Sequence, residues 1–209
     1  DALPIYNTKF KIDKGDHLLD THTHILWNID DGSKNQCMSL QMLEIAARSG
    51  TKAIFATPHV IERANKPSWE EIKEKTQQLR QLCAEAQIDI MLYPGAEVQM
   101  NWELLPELGA TGAYCLNGGR YLLIELPAAE IPAYADEFWY ELELKGITPI
   151  LAHPERYQQL RENPDLLLLW RRRGMLMQCN SGSFTGMFGS SVCENAKVLL
   201  ANGLVRSEE

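Results

Sequence analysis

Two histidines, His22 and His24, stand two residues apart in the stretch DTHTHILWNIDDG, and a pair of adjacent aspartates, Asp30 and Asp31, closes it. In extended chain, residues two apart project to the same side, so both imidazoles can grip one divalent ion at about 2.0–2.2 Å. The chain has only five histidines, and two more, His59 and His153, end the short apolar runs AIFATPH and ITPILAH. Two acids hold matching places, Glu97 in DIMLYPGAE and Glu125 in YLLIELP. An ionised Glu125 inside an apolar strand costs on the order of several kcal/mol unless a cation or strong donors meet it. Imidazoles and carboxylates without thiolates suit manganese, iron or zinc, in a cluster of more than one ion. Such ions clamp the attacking and leaving oxygens of a phosphoester for in-line hydrolysis. Arg156, three residues after His153, carries a fork of donors suited to phosphate oxygens, whereas the Arg171, Arg172, Arg173 run reads as a solvated helix end. Asp-Asp-Gly is also a turn and cap signal, so one aspartate goes to the metal site and the other to a helix start.

The elements that must position these groups alternate regularly. HLLDTH reads as a first strand, followed by a helix over residues 35–49 with Met38, Met42, Ile45 and Ala46 on one face and Gly50 at its end. AIFATPH is the second strand. Ser68 and Glu71 form a capping box for a helix carrying Ile72, Thr76, Leu79, Cys83 and Ala86 at helical spacing, and DIMLYPGAE is the strand after it. YLLIELP precedes a helix over residues 132–145, with Tyr134, Phe138 and Leu142 at four-residue steps. ITPILAHPER follows, then Asn163 and Pro164 as cap and first turn of DLLLLWRRR, whose arginines suit the negative end of the helix dipole. MLMQCN is a sixth strand, Ser191 and Glu194 suggest another capping box, and Leu204 with Val205 opens a seventh strand. Six strand-helix units with near-continuous apolar strands imply an α/β fold with a parallel sheet covered by helices. An open doubly wound sheet and a (β/α) barrel both fit that pattern. In a barrel the loops after the strands converge on one face, which would gather His22, His24, His59, Glu97, Glu125 and His153.

With 209 residues the chain has room for a single domain over residues 1–209, with residues 1–17 as an N-terminal extension. The 28 acidic against 20 basic residues, a net charge of -8, disfavour a nucleic-acid or anionic-membrane binder. Five cysteines without Cys-x-x-Cys suggest neither a disulfide framework nor a zinc knuckle and fit a reducing, cytoplasmic setting. No apolar stretch approaches the roughly twenty residues that span a bilayer, and the opening residues hold no signal-like apolar run. The absence of Cys-x5-Arg argues against a cysteine nucleophile, and the acidic surface permits a homo-oligomer.

The motifs DTHTHI, IDDGSKN, ATPH, PGAEV, LLIELP and LAHPERY, in this order, resemble the PHP (polymerase and histidinol phosphatase) family. Within it they are most similar to the bacterial manganese-dependent protein-tyrosine phosphatases of the CpsB and YwqE type. The resemblance covers residues 20–202. It implies a distorted (β/α)7 TIM-like barrel with two or three Mn2+ ions, Fe or Zn being alternatives. His22, His24 and a bridging Glu97 would hold one ion, Glu97, Glu125 and His153 a second, and Asp31 and His59 a third, with Arg156 on the substrate phosphate. The implied substrate is the phosphotyrosine tail of a bacterial tyrosine autokinase that governs capsule or exopolysaccharide export. Two departures stand out. Trp27 and Asn28 replace the family's Pro-Gly beside the first site. After NGLV the family continues its last strand into an Asp-x-His pair, where this chain has RSEE. The last strand is then incomplete, the first ion lacks a carboxylate, and the third keeps two protein ligands, while the second is untouched.

Overall fold

The computed structural model describes residues 18–109 and 112–207; the expected N-terminal extension lies outside the described residues. Among the described residues there are nine strands: β1 (Leu18–Thr23), β2 (Thr51–Ala56), β3 (His59–Val60), β4 (Met91–Pro94), β5 (Glu97–Gln99), β6 (Tyr121–Glu125), β7 (Thr148–Ala152), β8 (Leu176–Cys179) and β9 (Arg206–Ser207). Every strand pairing is parallel. They form a three-stranded sheet in the order β1-β2-β4 and a six-stranded sheet in the order β3-β5-β6-β7-β8-β9.

Seven expected strands become nine because the second and third each break in the middle. The second breaks at Thr57 and Pro58, where proline has no N–H for the ladder, and the third at Gly95, where any Cβ would lie 2.7 Å from Leu116 Cδ2. Hydrogen bonding carries through both breaks: Gly95 N–H donates to Ala56 O at 2.9 Å and Glu97 N–H to Pro58 O at 3.0 Å. The two sheets are therefore consecutive parts of one bent ribbon, ordered as the chain is. The seventh strand begins at Arg206, two residues later than expected; Leu204 and Val205 instead pack into the core.

Alternation along the strands divides the core in two. Leu122, Ile124 and Leu151 face the helices and pack with residues such as Ile72, Phe138, Leu142 and Trp170. Phe55, Tyr121, Leu123, Ile150 and Ala152 face the other way and form a second cluster with Leu19, Tyr93 and Leu176. That inner cluster takes residues from β1, β2, β4, β6, β7 and β8, from one end of the ribbon to nearly the other.

Among the described residues seven α-helices cover the ribbon: α1 (Gln36–Arg48), α2 (Trp69–Glu85), α3 (Ala135–Leu144), α4 (Gln158–Glu162), α5 (Asp165–Arg172), α6 (Ser181–Phe184) and α7 (Ser190–Ala201). Helix α2 starts as its sequence predicts, Ser68 Oγ accepting from Glu71 N–H, and buries Ile72, Thr76, Leu79 and Cys83. Helix α1 packs Met42 and Ala46 of its expected face against the core but not the other two residues. Met38 and Ile45 are exposed, and Ser39 and Leu43 are buried. The reason is polar: Ser39 Oγ lies 2.6 Å from Ile25 O and 2.8 Å from Ser33 Oγ, which docks the helix on the loop after β1. Neither Asp30 nor Asp31 caps α1; Asn35 does, accepting from Met38 N–H. Two other expected caps differ as well. Pro164, not Asn163, stands at the start of α5, and α7 starts at Ser190 after Gly189 without a side-chain cap.

Candidate metal centre

The predicted histidines and glutamates sit at strand ends, while Asp31 lies in the loop after β1 and Arg156 in the turn after β7. His22 is near the end of β1 and His24 just past it; His59 opens β3, Glu97 opens β5, Glu125 closes β6 and His153 follows β7. His59 and Glu97 are register partners, as are Gln99 and Glu125.

Glu97 is the hub. Its side chain is 1% exposed, and four imidazoles reach it: His22 Nε2 at 2.9 Å, His24 Nε2 and His59 Nε2 each at 3.2 Å on Oε2, and His153 Nε2 at 2.8 Å on Oε1. Glu125 lies beyond His59, 3.9 Å from its Nε2, and accepts from Gln99 Nε2 at 3.2 Å. Asp31 Oδ1 is 3.2 Å from His59 Nδ1, its side chain largely in solvent. The structure thus brings His22, His24, His59, Glu97, Glu125 and His153 into one cluster, with Asp31 at its outer rim. Arg156 stands apart from these contacts, exposed in the turn Pro154–Arg156, its guanidinium 4.8 Å above the Phe188 ring.

The far side of three of the rings is also engaged, whereas His153 Nδ1 is buried without a hydrogen-bond partner. His24 Nδ1 meets Asp30 Oδ2 at 2.7 Å, His22 Nδ1 meets Gln178 Oε1 at 3.0 Å, and His59 Nδ1 faces Asp31. A neutral imidazole has one proton. Placed on these outer nitrogens, the protons leave three Nε2 lone pairs turned toward the Glu97 carboxylate, and His22 Nε2 and His24 Nε2 only 3.3 Å apart. Lone pairs facing an anion at this range call for a cation. The titration behaviour agrees. Burial disfavours the His24 cation, but bonds to Asp30 and Glu97 outweigh it and raise His24 to about 10. His59 is raised in the same way, against its burial, chiefly by Asp30. Burial would raise Glu97, yet the surrounding histidines hold it well below the usual carboxylate range. Glu125 is raised by burial and by the Glu97 charge. Protons thus occupy the field that divalent ions fit, and three overlapping donor groups have ligand atoms within 4.8 Å of one another: His22, His24 and Glu97; His59, Glu97 and Glu125; and His24, Asp30, Asp31 and His59.

Local sequence explains these placements. Gly32 must be glycine because a Cβ there would lie 2.1 Å from His24 O; the close approach lets Ser33 N–H donate to His24 O at 3.1 Å and Gly32 N–H to Asp30 Oδ1 at 3.0 Å. Asn28 has φ 51°, a left-handed conformation that asparagine tolerates, so the turn forms without a glycine there. His153 is also left-handed, with φ 36°, which aims its ring back at Glu97 while Pro154 starts the next turn. Tyr157 serves the framework, its hydroxyl bonded to Leu126 N–H at 2.9 Å and Leu126 O at 3.1 Å.

Some residues of the site were missed. Asp30 accepts from His24 Nδ1 and from His59 N–H at 2.9 Å, tying the β1 and β3 histidines together. Gln178, Asn180 and Glu155 form a polar group behind His22 and Arg156. The signal was present: a glutamine within MLMQC is as anomalous in an apolar strand as Glu125 in LLIEL.

A family model described as capsular polysaccharide synthesis, CpsB/CapC, matches residues 18–207. The tyrosine-protein phosphatase YwqE of Bacillus subtilis is 36% identical over 175 residues, 84% of this chain and 69% of that protein. The putative tyrosine-protein phosphatase CapC of Staphylococcus aureus is 33% identical over the same shares of both chains. A solved structure from work on YwqE of B. subtilis and CpsB of Streptococcus pneumoniae, described as unique metal-dependent tyrosine phosphatases, superposes with a TM-score of 0.85 at 34% identity, covering 90% of this chain and 76% of that one. A putative histidinol phosphatase from Listeria monocytogenes, 12% identical with a TM-score of 0.52 over 92% of this chain and 93% of that one, shares the fold alone. By the reach of the family match and the identity of these relatives, the chain belongs to the CpsB/CapC family.

Proposed function

We propose that this chain is a divalent-metal-dependent phosphomonoesterase that removes phosphate from tyrosine in the tail of a bacterial tyrosine autokinase controlling capsule or exopolysaccharide export. The observation that carries this reading is the buried Glu97 carboxylate with four imidazoles converging on it, three more carboxylates (Asp30, Asp31 and Glu125) beside His59, and no thiol among the cluster. YwqE is named a tyrosine-protein phosphatase and CapC a putative one, and the similar solved structure is described as that of a metal-dependent tyrosine phosphatase.

In this reading His22, His24 and Glu97 hold one manganese ion, Glu97, Glu125 and His153 a second, and Asp31 with His59 a third. Divalent ions held there would supply Lewis acidity and an acidified water to phosphoester hydrolysis. Arg156 takes the phosphate oxygens with the free edge of its guanidinium, one face of which rests on Phe188. Met187 and Phe188, apolar yet exposed, offer a surface for the phenyl ring of phosphotyrosine. The ribbon of strands is read as a distorted (β/α)7 barrel, supported by the inner cluster that joins Leu19 of β1 to Leu176 of β8. Among the described residues no helix is long and apolar enough to cross a membrane; a cytoplasmic location is part of the proposal.

The test is phosphate release from a phosphotyrosine peptide and from histidinol phosphate, with manganese added and removed. Manganese-dependent turnover of the peptide is expected. Preference for histidinol phosphate would assign a small-molecule phosphatase, and no turnover with fewer than two ions per chain would assign a binding protein.

A further inference from the structure

We propose that Gln178 is a positioning residue for metal capture, fixing the tautomer and ring direction of His22 from the other end of the strand ribbon. The proposal rests on the metal-dependent reading above and adds a residue that touches neither substrate nor ion.

Gln178 lies in β8 and is 4% exposed; the His22 side chain in β1 is equally buried, at 4%. No backbone pairing joins β1 to β8 among the described residues, yet Gln178 Oε1 lies 3.0 Å from His22 Nδ1. Gln178 Nε2 in turn donates to Asn180 Oδ1 at 2.9 Å. Asn180 is fixed through its main chain, its N–H donating at 3.1 Å to Oε1 of the fully buried Glu155, which also accepts from Ser183 Oγ at 2.6 Å. Glu155 belongs to the turn that carries Arg156, so the polar group that holds Gln178 is tied to that turn as well.

The consequence for His22 is chemical. With Nδ1–H committed to an amide oxygen, the only lone pair of the neutral ring is on Nε2, which points at Glu97 Oε2 and His24 Nε2. The opposite amide orientation would present N–H groups to Nδ1, move the ring proton to Nε2, and block ligation there. Asn180 Oδ1, the acceptor for Gln178 Nε2, sets the sense of the amide. His24 and His59 use carboxylates for the same purpose, whereas Gln178 orients a ring without adding a negative charge. Outer partners of this kind typically change metal affinity by about 10- to 100-fold when removed.

The experiment compares Gln178→Leu, which removes the acceptor at similar volume, with Gln178→Glu, which keeps an oxygen facing Nδ1. Manganese affinity is measured by calorimetry, and the His22 tautomer by long-range 15N–1H NMR of the zinc-loaded wild-type chain. Expected are a Nδ1–H tautomer for His22, a manganese Kd weakened about 10- to 100-fold in Gln178→Leu, and one within about 3-fold of wild type in Gln178→Glu. A His22 proton on Nε2 overturns the proposal even if Gln178→Leu does not fold. So does a Gln178→Leu chain that binds manganese as wild type does, or a Gln178→Glu chain as weak as Gln178→Leu. A wild-type chain that binds no manganese overturns the functional reading and, with it, this role; wild-type binding matched by Gln178→Leu overturns the role alone.

Discussion

Replacing Glu97 by glutamine keeps the volume and one acceptor oxygen but removes the charge on which the cluster is built. In the metal-free protein Glu97 faces four imidazoles, one of which, His24, is raised to about 10 and is therefore a cation at neutral pH. Removing one partner of a buried ion pair costs about 3–5 kcal/mol. His24 is 23% exposed and keeps Asp30, which places the expected loss near the lower figure, about 3 kcal/mol at about pH 6. The pH dependence has a definite sign. The folded value of Glu97 is depressed, so its contribution is full above the unfolded value near 4.5 and fades as pH falls below it, by about 1.4 kcal/mol per unit. At about pH 3.5 the deficit of Glu97→Gln is expected to be smaller by about that amount. Urea unfolding of both chains in chelator at the two pH values measures it. A deficit below about 1 kcal/mol at the higher pH, or one unchanged at the lower, would refute the placement of Glu97 as a buried anion among protonated rings.

Gly32→Ala is expected to push the aspartate turn away from His24 and weaken manganese binding by more than about tenfold, read by equilibrium dialysis; unchanged binding would mean the turn adapts. Phe188→Ala, removing the surface under Arg156, is expected to raise KM for a phosphotyrosine peptide about 5- to 20-fold with a smaller effect on kcat, as loss of a cation–π contact and an apolar face of about 1–2 kcal/mol predicts. An equal loss with inorganic phosphate as inhibitor would place the effect on Arg156, and no loss on either would remove Phe188 from the site. Manganese must displace the protons held on His24 and His59, so its affinity should rise steadily from about pH 6 to pH 9 and release protons on calorimetry; affinity flat across that range would contradict the raised values. By the same linkage, the His24 contribution to metal-free stability is present below its unfolded value of 6.5 and is lost as pH rises through about 10.

Much of the site was legible because parallel strands with apolar runs leave few places for an imidazole or a carboxylate except their carboxyl ends, and Glu125 was conspicuous for the same reason. The breaks that divide two strands between sheets were not legible, since Pro58 and Gly95 interrupt strands whose hydrogen bonds nevertheless continue. Of the expected face of α1, Met42 and Ala46 pack on the core while Met38 and Ile45 do not, because apolar spacing has no weight for a buried serine pair and Ser39 anchors that helix through hydrogen bonds. Local turn chemistry gives one of Asp30 and Asp31 to a helix start without choosing between them, while the partners of Asp30, the His24 ring and the His59 backbone, are set by the tertiary fold. Gln178 escaped notice because a neutral amide in a strand carries a smaller penalty than a carboxylate and so draws less attention, although its anomaly is of the same kind.

The most direct test of the central claim is the number and coupling of bound ions, read by elemental analysis and electron paramagnetic resonance of the manganese-loaded chain beside its phosphotyrosine phosphatase rate. A carboxylate shared between ions predicts at least two manganese per chain, a spin-coupled signal, and loss of both coupling and turnover in Glu97→Gln. One isolated manganese per chain, or phosphate release undiminished after complete metal removal, would contradict it.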